Sequence, residues 1–229
     1  MAIRGVLFDL DNTLLNRKQA FERYARYLIE QYAHVNNDDE LEAYVASMIR
    51  ADQNGYRSKK ELYTELRDTL PLKDAATTVE QLLQTWFTQF SSFTVHMDGA
   101  LDILEALRND GYRLGLITNG SSGSQHGKID RAGIRHYFDA LIVSDDVGVK
   151  KPQPAIYAIA LERLGLTPEE SIYIGDHPIN DIQGANAAGL RAVWLEGFMQ
   201  WPQGGAAHPH VIYHLSELRS LLMELNRGA

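Results

Sequence analysis

Short apolar runs alternate with stretches of helical periodicity along most of the chain. The first run, IRGVLF at residues 3–8, is rich in branched and aromatic side chains and ends at acidic residues, as buried β-strands do. Later runs of the same kind predict strands at residues 113–117, 140–144, 171–174 and 191–195. Helical patterns fill segments between them, for example residues 98–109, 154–164 and 181–188.

Strands that alternate with helices favour βαβ units, and therefore a parallel sheet covered by helices on both faces. Residues 16–93 interrupt this alternation after a single strand, because their apolar residues recur every three or four positions, as on one face of a helix. We therefore predict an α/β fold in which residues 1–16 and 94–229 form the core and residues 17–93 form an inserted cap of about four helices.

Local signals predict where some of these elements begin and end. Two Ser/Thr-x-x-Glu motifs in the helical segment match the capping box that opens a helix. They are Ser58 with Glu61 and Thr77 with Glu80. Residues 119–124, which are rich in Ser and Gly, predict a turn, and the Pro- and Gly-rich residues 201–209 predict a surface loop.

Composition narrows the classes of partner and compartment. The 229 residues are 45% hydrophobic, which is enough to bury a sizeable core, and the formal net charge of −8 disfavours nucleic acid polymers and membrane surfaces as partners. The absence of cysteine excludes disulfides, thiolate metal sites and a cysteine nucleophile. No apolar segment approaches the roughly 20 residues of a membrane span, so we predict a cytoplasmic protein.

Polar residues follow several of the predicted strands. Asp9 and Asp11 follow the first strand, Thr118 and Asn119 the second, and Asp176 the fourth. Ligands of open parallel sheets bind outside the carboxyl ends of the strands, so these side chains are expected to converge in one crevice. Ionised carboxylates that converge repel one another, and a hard divalent ion with oxygen ligands, typically Mg²⁺, relieves that repulsion.

The spacing of Asp9 and Asp11 suits phosphoryl transfer. One carboxylate can attack phosphorus as a covalent nucleophile while the second donates and later removes a proton. The charge that develops on the transferring group must be met by a hydroxyl, backbone N–H groups, a lysine and a metal ion. Thr118, Asn119 and Lys151 are the candidates for those contacts.

Four segments in a fixed order resemble the motifs of the haloacid dehalogenase-like hydrolase superfamily. They are FDLDNTLL at 8–15, ITNG at 117–120, VKKPQPAIY at 149–157 and YIGDHPINDIQGA at 173–185. The resemblance covers about residues 1–16 and 94–200 and implies a Rossmann-like core. It also implies that the helical insert is similar to the cap that closes over the substrate in one subclass of the family.

The resemblance assigns a role to each motif residue. Asp9 would be the nucleophile, Asp11 the general acid and base, Thr118 a ligand of the phosphoryl group, and Lys151 the cation that neutralises it. Mg²⁺ would be held by Asp9, the backbone carbonyl of Asp11, and Asp176.

The last motif adds a supporting residue, and the last two motifs each contain a departure from the family pattern. Asp181 would orient Lys151 or a metal-bound water. His177 is bulkier than the small polar residue often found after the motif aspartate, and Gln153 stands where the family usually has Asp or Glu. Neither departure removes a catalytic group.

The function that the resemblance implies is a Mg²⁺-dependent phosphatase acting on a small phosphorylated metabolite such as a nucleotide, a sugar phosphate or a flavin-type monoester. A 2-haloacid dehalogenase is one alternative, although Asp11 argues against it. A phosphomutase would keep Asp11 and is not discriminated by sequence. A non-catalytic phosphate-binding module would be expected to have lost one of the motif residues.

Overall fold

The structure is a computed structural model that describes residues 1–202 and 210–227. The chain divides into two compact units, Met1–Asn16 with His96–Ala229, and Arg17–Val95. We call the first the core unit and the second the helical unit. Most of the surface loop predicted at 201–209 lies outside the described residues.

The core unit contains a sheet of six strands in the order β3-β2-β1-β4-β5-β6, and every neighbouring pair is parallel. The strands are β1 Gly5–Phe8, β2 Arg113–Thr118, β3 Ala140–Val143, β4 Ser171–Gly175, β5 Arg191–Leu195 and β6 Val211–Ile212. The predicted α/β fold with a parallel sheet is confirmed. The two-residue β6 was not predicted, because a run this short carries no periodicity.

Alternation along the strands separates two apolar layers, one on each face of the sheet. In β1, Val6 and Phe8 pack into one layer, whereas Leu7 packs into the other. Tyr173 of β4 and Trp194 of β5 belong to the same layer as Leu7. Because both faces are covered, β1 is an uninterrupted apolar run, as its sequence indicates.

Helices supply the remainder of both layers. In the core unit they are α5 Ala100–Asn109, α6 Ser122–Arg131, α7 Ser144–Val147, α8 Pro154–Leu164, α9 Gly184–Ala187 and α10 Leu218–Arg227. α8 has the predicted bounds, whereas α6 begins inside the predicted turn at 119–124. The helix predicted at 181–188 is a π-helical turn, Pro178–Gln183, followed by α9. This π-helical turn is the segment that carries Asp181.

The helical unit has its own apolar core and four α-helices. They are α1 Arg17–Tyr32, α2 Asp38–Asp52, α3 Lys59–Thr69 and α4 Val79–Gln89. Both predicted capping boxes are wrong in detail. Ser58 precedes α3 without a side-chain cap. The capping box of α4 is one residue later than predicted, since Thr78 and Gln81 exchange hydrogen bonds and Gln81 replaces glutamate as the acceptor.

A buried ion-pair group joins three helix ends in the helical unit. Asp52 at the end of α2 is 1% exposed and accepts from Arg17 at 2.8 Å and from Lys59 at 2.5 Å. The Arg17 guanidinium also lies over the ring of Phe21, 5.2 Å from its centroid. Gly55 leaves room for it, because a Cβ at that position would lie 2.8 Å from the guanidinium carbon.

Over the described ranges 1–202 and 210–227, every helix falls short of the length and apolar content that crossing a bilayer requires.

Candidate active site

Polar side chains from separate segments meet at the carboxyl ends of the strands in the core unit. Asp9 follows β1, Thr118 ends β2, Asp176 follows β4, and Lys151 precedes α8. All four side chains are buried. The structure therefore brings together residues of all four sequence motifs, as expected for the carboxyl edge of a parallel sheet.

The ammonium group of Lys151 is the centre of this arrangement. Lys151 Nζ donates to Asp9 Oδ1 at 2.5 Å, to Asp181 Oδ1 at 2.7 Å and to the hydroxyl of Tyr173 at 3.0 Å. An ammonium has three donors, so each has an acceptor. Because burying an unpaired charge is costly, these contacts fix the side chain of Lys151 in one position.

Burial and charge act in opposite directions on the two members of the central ion pair. Burial by itself lowers the pKa of Lys151, but the carboxylates of Asp181 and Asp9 outweigh it and raise that pKa above its ordinary value. Burial raises the pKa of Asp9 from 3.8 to about 7, against the attraction of Lys151 and with a further contribution from Asp181. Lys151 therefore stays charged, whereas ionising the neighbouring Asp9 costs free energy unless a further positive charge is present.

Both oxygens of Asp181 are used within the core unit. Oδ1 accepts from Lys151 and lies 3.2 Å from the Tyr173 hydroxyl, and Oδ2 accepts from the backbone N–H of His177 at 2.9 Å. Asp181 packs directly against Gly175, because a Cβ on Gly175 would lie 2.4 Å from Asp181 Cγ. These contacts hold Asp181 beside Lys151, and its role in orienting Lys151 or a metal-bound water stays a prediction.

Asp176 completes a cluster that fits a divalent cation. Asp9, Asp176 and Asp181 each offer a carboxylate oxygen, and these oxygens lie within 4.8 Å of one another. Burial, together with the charges of Asp181 and Asp9, raises the pKa of Asp176 well above its usual value. Three buried carboxylates against the one ammonium of Lys151 suit a hard cation with oxygen ligands, so the residues present fit Mg²⁺.

Asp11 contacts one cation and one amide on α6. Lys128 Nζ donates to Asp11 Oδ2 at 2.6 Å and to Oδ1 at 2.9 Å. Gln125 Nε2 donates to Thr118 Oγ1 at 2.5 Å and to Asp11 Oδ2 at 3.2 Å. Asp11 is therefore linked to Thr118 through Gln125 of α6.

The side chain of Asn119 supports the lysine segment. Its Oδ1 accepts from the backbone N–H of Lys151 at 2.9 Å and its Nδ2 donates to the backbone carbonyl of Lys151 at 3.0 Å. These two bonds hold the Lys151 main chain beside the end of β2. The contact of Asn119 with substrate phosphate stays a prediction.

His177 has a structural contact in the same loop. Its Nδ1 accepts from the backbone N–H groups of Ile179 and Asn180, both at 3.1 Å, and so caps the π-helical turn. Burial lowers its pKa, which favours the neutral ring that this acceptor role requires.

Sequence reasoning missed four residues that touch the site. They are Gln125, Lys128, Tyr173 and Trp194. Trp194 Nε1 donates to the backbone carbonyl of Asp176 at 2.9 Å. A usable signal existed for the α6 pair, since Gln125 and Lys128 are spaced to share a face with the apolar Ile129. The hydroxyl of Tyr173 inside an apolar strand gave no such signal.

A parallel sheet with a buried carboxylate and lysine paired at its strand ends places the protein among the α/β proteins that bind ligands at that edge of the sheet. The model of the haloacid dehalogenase-like hydrolase family matches residues 6–195. The chain belongs to this family. The predicted family is thereby confirmed.

Curated relatives and solved structures agree with this assignment. Glyceraldehyde 3-phosphate phosphatase of Methanopyrus kandleri is 32% identical over 210 residues, which are 83% of each chain. Pyrimidine 5'-nucleotidase YjjG of Escherichia coli is 35% identical over 144 residues, 62% of this chain and 63% of the relative. The crystal structure of the HAD-hydrolase YfnB from Bacillus subtilis bound to magnesium has a TM-score of 0.75 at 27% identity and covers 97% of this chain and 99% of that one. These relatives support the predicted enzyme class, a phosphoric monoester hydrolase.

Proposed function

We propose that the protein is a Mg²⁺-dependent phosphatase that hydrolyses a small phosphate monoester through an aspartyl-phosphate on Asp9. The observation that carries this proposal is the 2.5 Å contact between Asp9 Oδ1 and Lys151 Nζ in the buried cluster at the strand ends. A carboxylate can attack the anionic phosphoryl group only where cations offset the repulsion between them, and Lys151 supplies one.

In the first half-reaction, an Asp9 oxygen attacks phosphorus and the bond from phosphorus to the alcohol oxygen breaks. Asp11 delivers a proton to that oxygen, so the alcohol leaves as a neutral molecule. Lys151 offsets the negative charge on the phosphoryl oxygens, and Thr118 binds the phosphoryl group. Asp181 and Tyr173 keep Lys151 in place during the transfer, since both contact its ammonium group.

In the second half-reaction, Asp11, now a carboxylate, removes a proton from a water molecule whose oxygen attacks the aspartyl-phosphate. The bond from phosphorus to Asp9 breaks, inorganic phosphate leaves, and Asp9 regains its carboxylate. Asp11 ends the cycle protonated, as it began. Asp11 therefore serves both half-reactions, because it gives up one proton in the first and takes up one proton in the second.

The metal ion would be held by the carboxylates of Asp9 and Asp176 and by the backbone carbonyl of Asp11. When bound, Mg²⁺ would supply electrostatic stabilisation of the transferring phosphoryl group. Asp181 has both oxygens engaged with Lys151, Tyr173 and the His177 backbone, which favours a supporting role over direct ligation.

The relatives act on small phosphorylated molecules, and this supports a metabolite as the substrate class. We propose a nucleotide, a sugar phosphate or a flavin-type monoester, with residues 17–93 acting as the cap that selects it. Asp11 favours this reaction over that of a 2-haloacid dehalogenase, which has no alcohol to protonate. A phosphomutase would use the same two aspartates.

Phosphate release from a panel of esters tests the proposal. The panel contains glyceraldehyde 3-phosphate, pyrimidine nucleoside monophosphates, hexose phosphates, flavin mononucleotide and p-nitrophenyl phosphate, each with Mg²⁺ and with excess EDTA. We expect release that depends on Mg²⁺, and analysis of the sugar products separates hydrolysis from transfer to another hydroxyl. Full rate in EDTA contradicts the metal requirement.

Asp9→Asn is the matched variant for the nucleophile, since it keeps the size of the side chain and removes the charge. We expect the folded protein to lose turnover by at least about a thousandfold. Retained turnover in Asp9→Asn would refute the assignment of the nucleophile.

A further inference from the structure

Lys128 and Gln125 occupy positions that are unusual for their residue types. Both side chains are buried, with 6% and 2% exposure. Lysine and glutamine are mostly exposed in folded proteins, and a buried charge requires a partner. Both residues, on α6, donate to the same group, the carboxylate of Asp11.

The contacts determine the orientation of that carboxylate. Lys128 spans the two oxygens of Asp11, and Gln125 adds a third bond, to Oδ2. A carboxyl group with a hydrogen bond on each oxygen cannot rotate about its last torsion without losing one of them. The second hydrogen of the Gln125 amide goes to Thr118 Oγ1, which ties the orientation of Asp11 to the end of β2.

The chain makes room for this contact at Gly120. The backbone there has a φ of +148°, and a Cβ would lie 2.9 Å from Gln125 Cδ. The side chain of Gln125 therefore lies directly over Gly120, and only glycine permits that approach. The turn after β2 and the first turns of α6 form one arrangement around Asp11.

We infer that Lys128 and Gln125 are positioning residues that hold Asp11 where it exchanges its proton with the leaving alcohol and with water. This inference rests on the proposed function, because it assigns a role to residues that act through the general acid and base. Neither residue is required to touch the substrate. Their effect is expected on proton transfer, since a misplaced acid loses much of the rate that orientation supplies.

The leaving group distinguishes positioning of the acid from a purely structural role. An alkyl phosphate releases a poor leaving group that must be protonated, whereas p-nitrophenyl phosphate releases a phenolate that leaves without protonation. The parameter kcat/KM reports the steps up to loss of the alcohol. A variant that misplaces Asp11 should therefore lose kcat/KM for alkyl phosphates selectively.

The experiment compares Lys128→Met with the wild type on the best alkyl substrate of the panel and on p-nitrophenyl phosphate, with saturating Mg²⁺. We expect kcat/KM to fall about 100-fold for the alkyl ester and less than about fivefold for the aryl ester, within the range that a positioned acid contributes. Lys128→Arg should restore part of the alkyl activity. Arg131→Met, which removes an exposed cation from the same helix, should leave both values unchanged.

A double-mutant cycle gives the second measurement. In an Asp11→Asn background, Lys128→Met should cost the alkyl ester no further activity, because the group it positions is gone. Equal losses on both esters, or a full additional loss in the Asp11→Asn background, would overturn the inference. If Lys128→Met does not fold, the same measurements are made on Gln125→Met, with the same expected and contradicting results.

The same data separate this inference from the proposed function. A wild type that releases phosphate while Lys128→Met keeps the wild-type ratio of alkyl to aryl activity refutes the positioning role alone. A wild type that releases phosphate from no ester refutes the phosphatase.

Discussion

Gly175, the last residue of β4, determines how closely Asp181 approaches the strand. No side chain fits at this position, because a Cβ would lie 2.4 Å from Cγ and 2.5 Å from Cβ of Asp181. Asp181 in turn contacts Lys151 at 2.7 Å. The absence of a side chain at Gly175 is therefore part of what positions Lys151.

Gly175→Ala should lower kcat/KM by about 100-fold, because a displacement of about 1 Å in a catalytic group has an effect of that order. The loss is expected with little change in secondary structure, measured by circular dichroism. Gly123→Ala is the control: nothing lies within 4 Å of its added Cβ, so activity should stay at the wild-type level. Wild-type activity in Gly175→Ala would show that Asp181 does not need its present position.

At the scale of elements, the helical unit depends on charges placed at unfavourable helix ends. Arg17 and Lys59 begin α1 and α3, where the helix dipole disfavours cations, and Asp52 ends α2, where it disfavours an anion. Asp52 pairs with both cations, so its charge compensates Arg17 and Lys59 and they compensate it. The ion-pair group is thus what allows three helix ends to meet.

Asp52→Ala should destabilise the protein by about 3 kcal/mol, since it leaves the buried Arg17 without its carboxylate. The measurement is urea unfolding followed by circular dichroism. Asp68→Ala removes the acid of an exposed pair with Arg67, 3.2 Å apart, and should cost less than about 0.5 kcal/mol. Equal effects of the two substitutions would contradict the structural importance of the buried group.

Among the elements of the core unit, some could be predicted from the sequence and others could not. Strands β1 to β5 were predictable because burial on both faces makes each one a continuous apolar run. Asp9, Thr118 and Asp176 were predictable because they lie at strand ends. The start of α6 was not, since Ser and Gly are also typical of turns. The role of Gln125 and Lys128 depends on which face of α6 meets Asp11, and that is decided by packing against the sheet.

For the whole molecule, the acidic cluster predicts a link between metal binding and pH. The pKa of Asp9 is raised from 3.8 to about 7, so without a metal its proton stabilises the folded state, fully at pH values below 3.8 and no longer at pH values above about 7. A metal ion must displace that proton at low pH but meets a carboxylate at high pH. Metal binding should therefore contribute more to stability as the pH rises through about 7.

Mg²⁺ at a fixed millimolar concentration should raise the melting temperature more at about pH 8 than at about pH 6, measured by thermal unfolding with EDTA-treated protein as the reference. Asp9→Asn should remove most of the difference between the two pH values. An equal shift at both pH values in the wild type would contradict the link between Asp9 and the metal.

The order of strands in the sheet also bears on how the protein is made. Gly5 of β1 pairs with Arg113 of β2 and with Ser171 of β4, so Asp9 follows the first described strand along the chain, and that strand gains its second neighbour only when β4 is made. Until residues 113–118 are synthesised, β1 has neither neighbour, and its apolar side chains have no sheet to pack with. A nascent chain released before β4 would carry Asp9 without Asp176 or Asp181, and so would lack the acidic cluster.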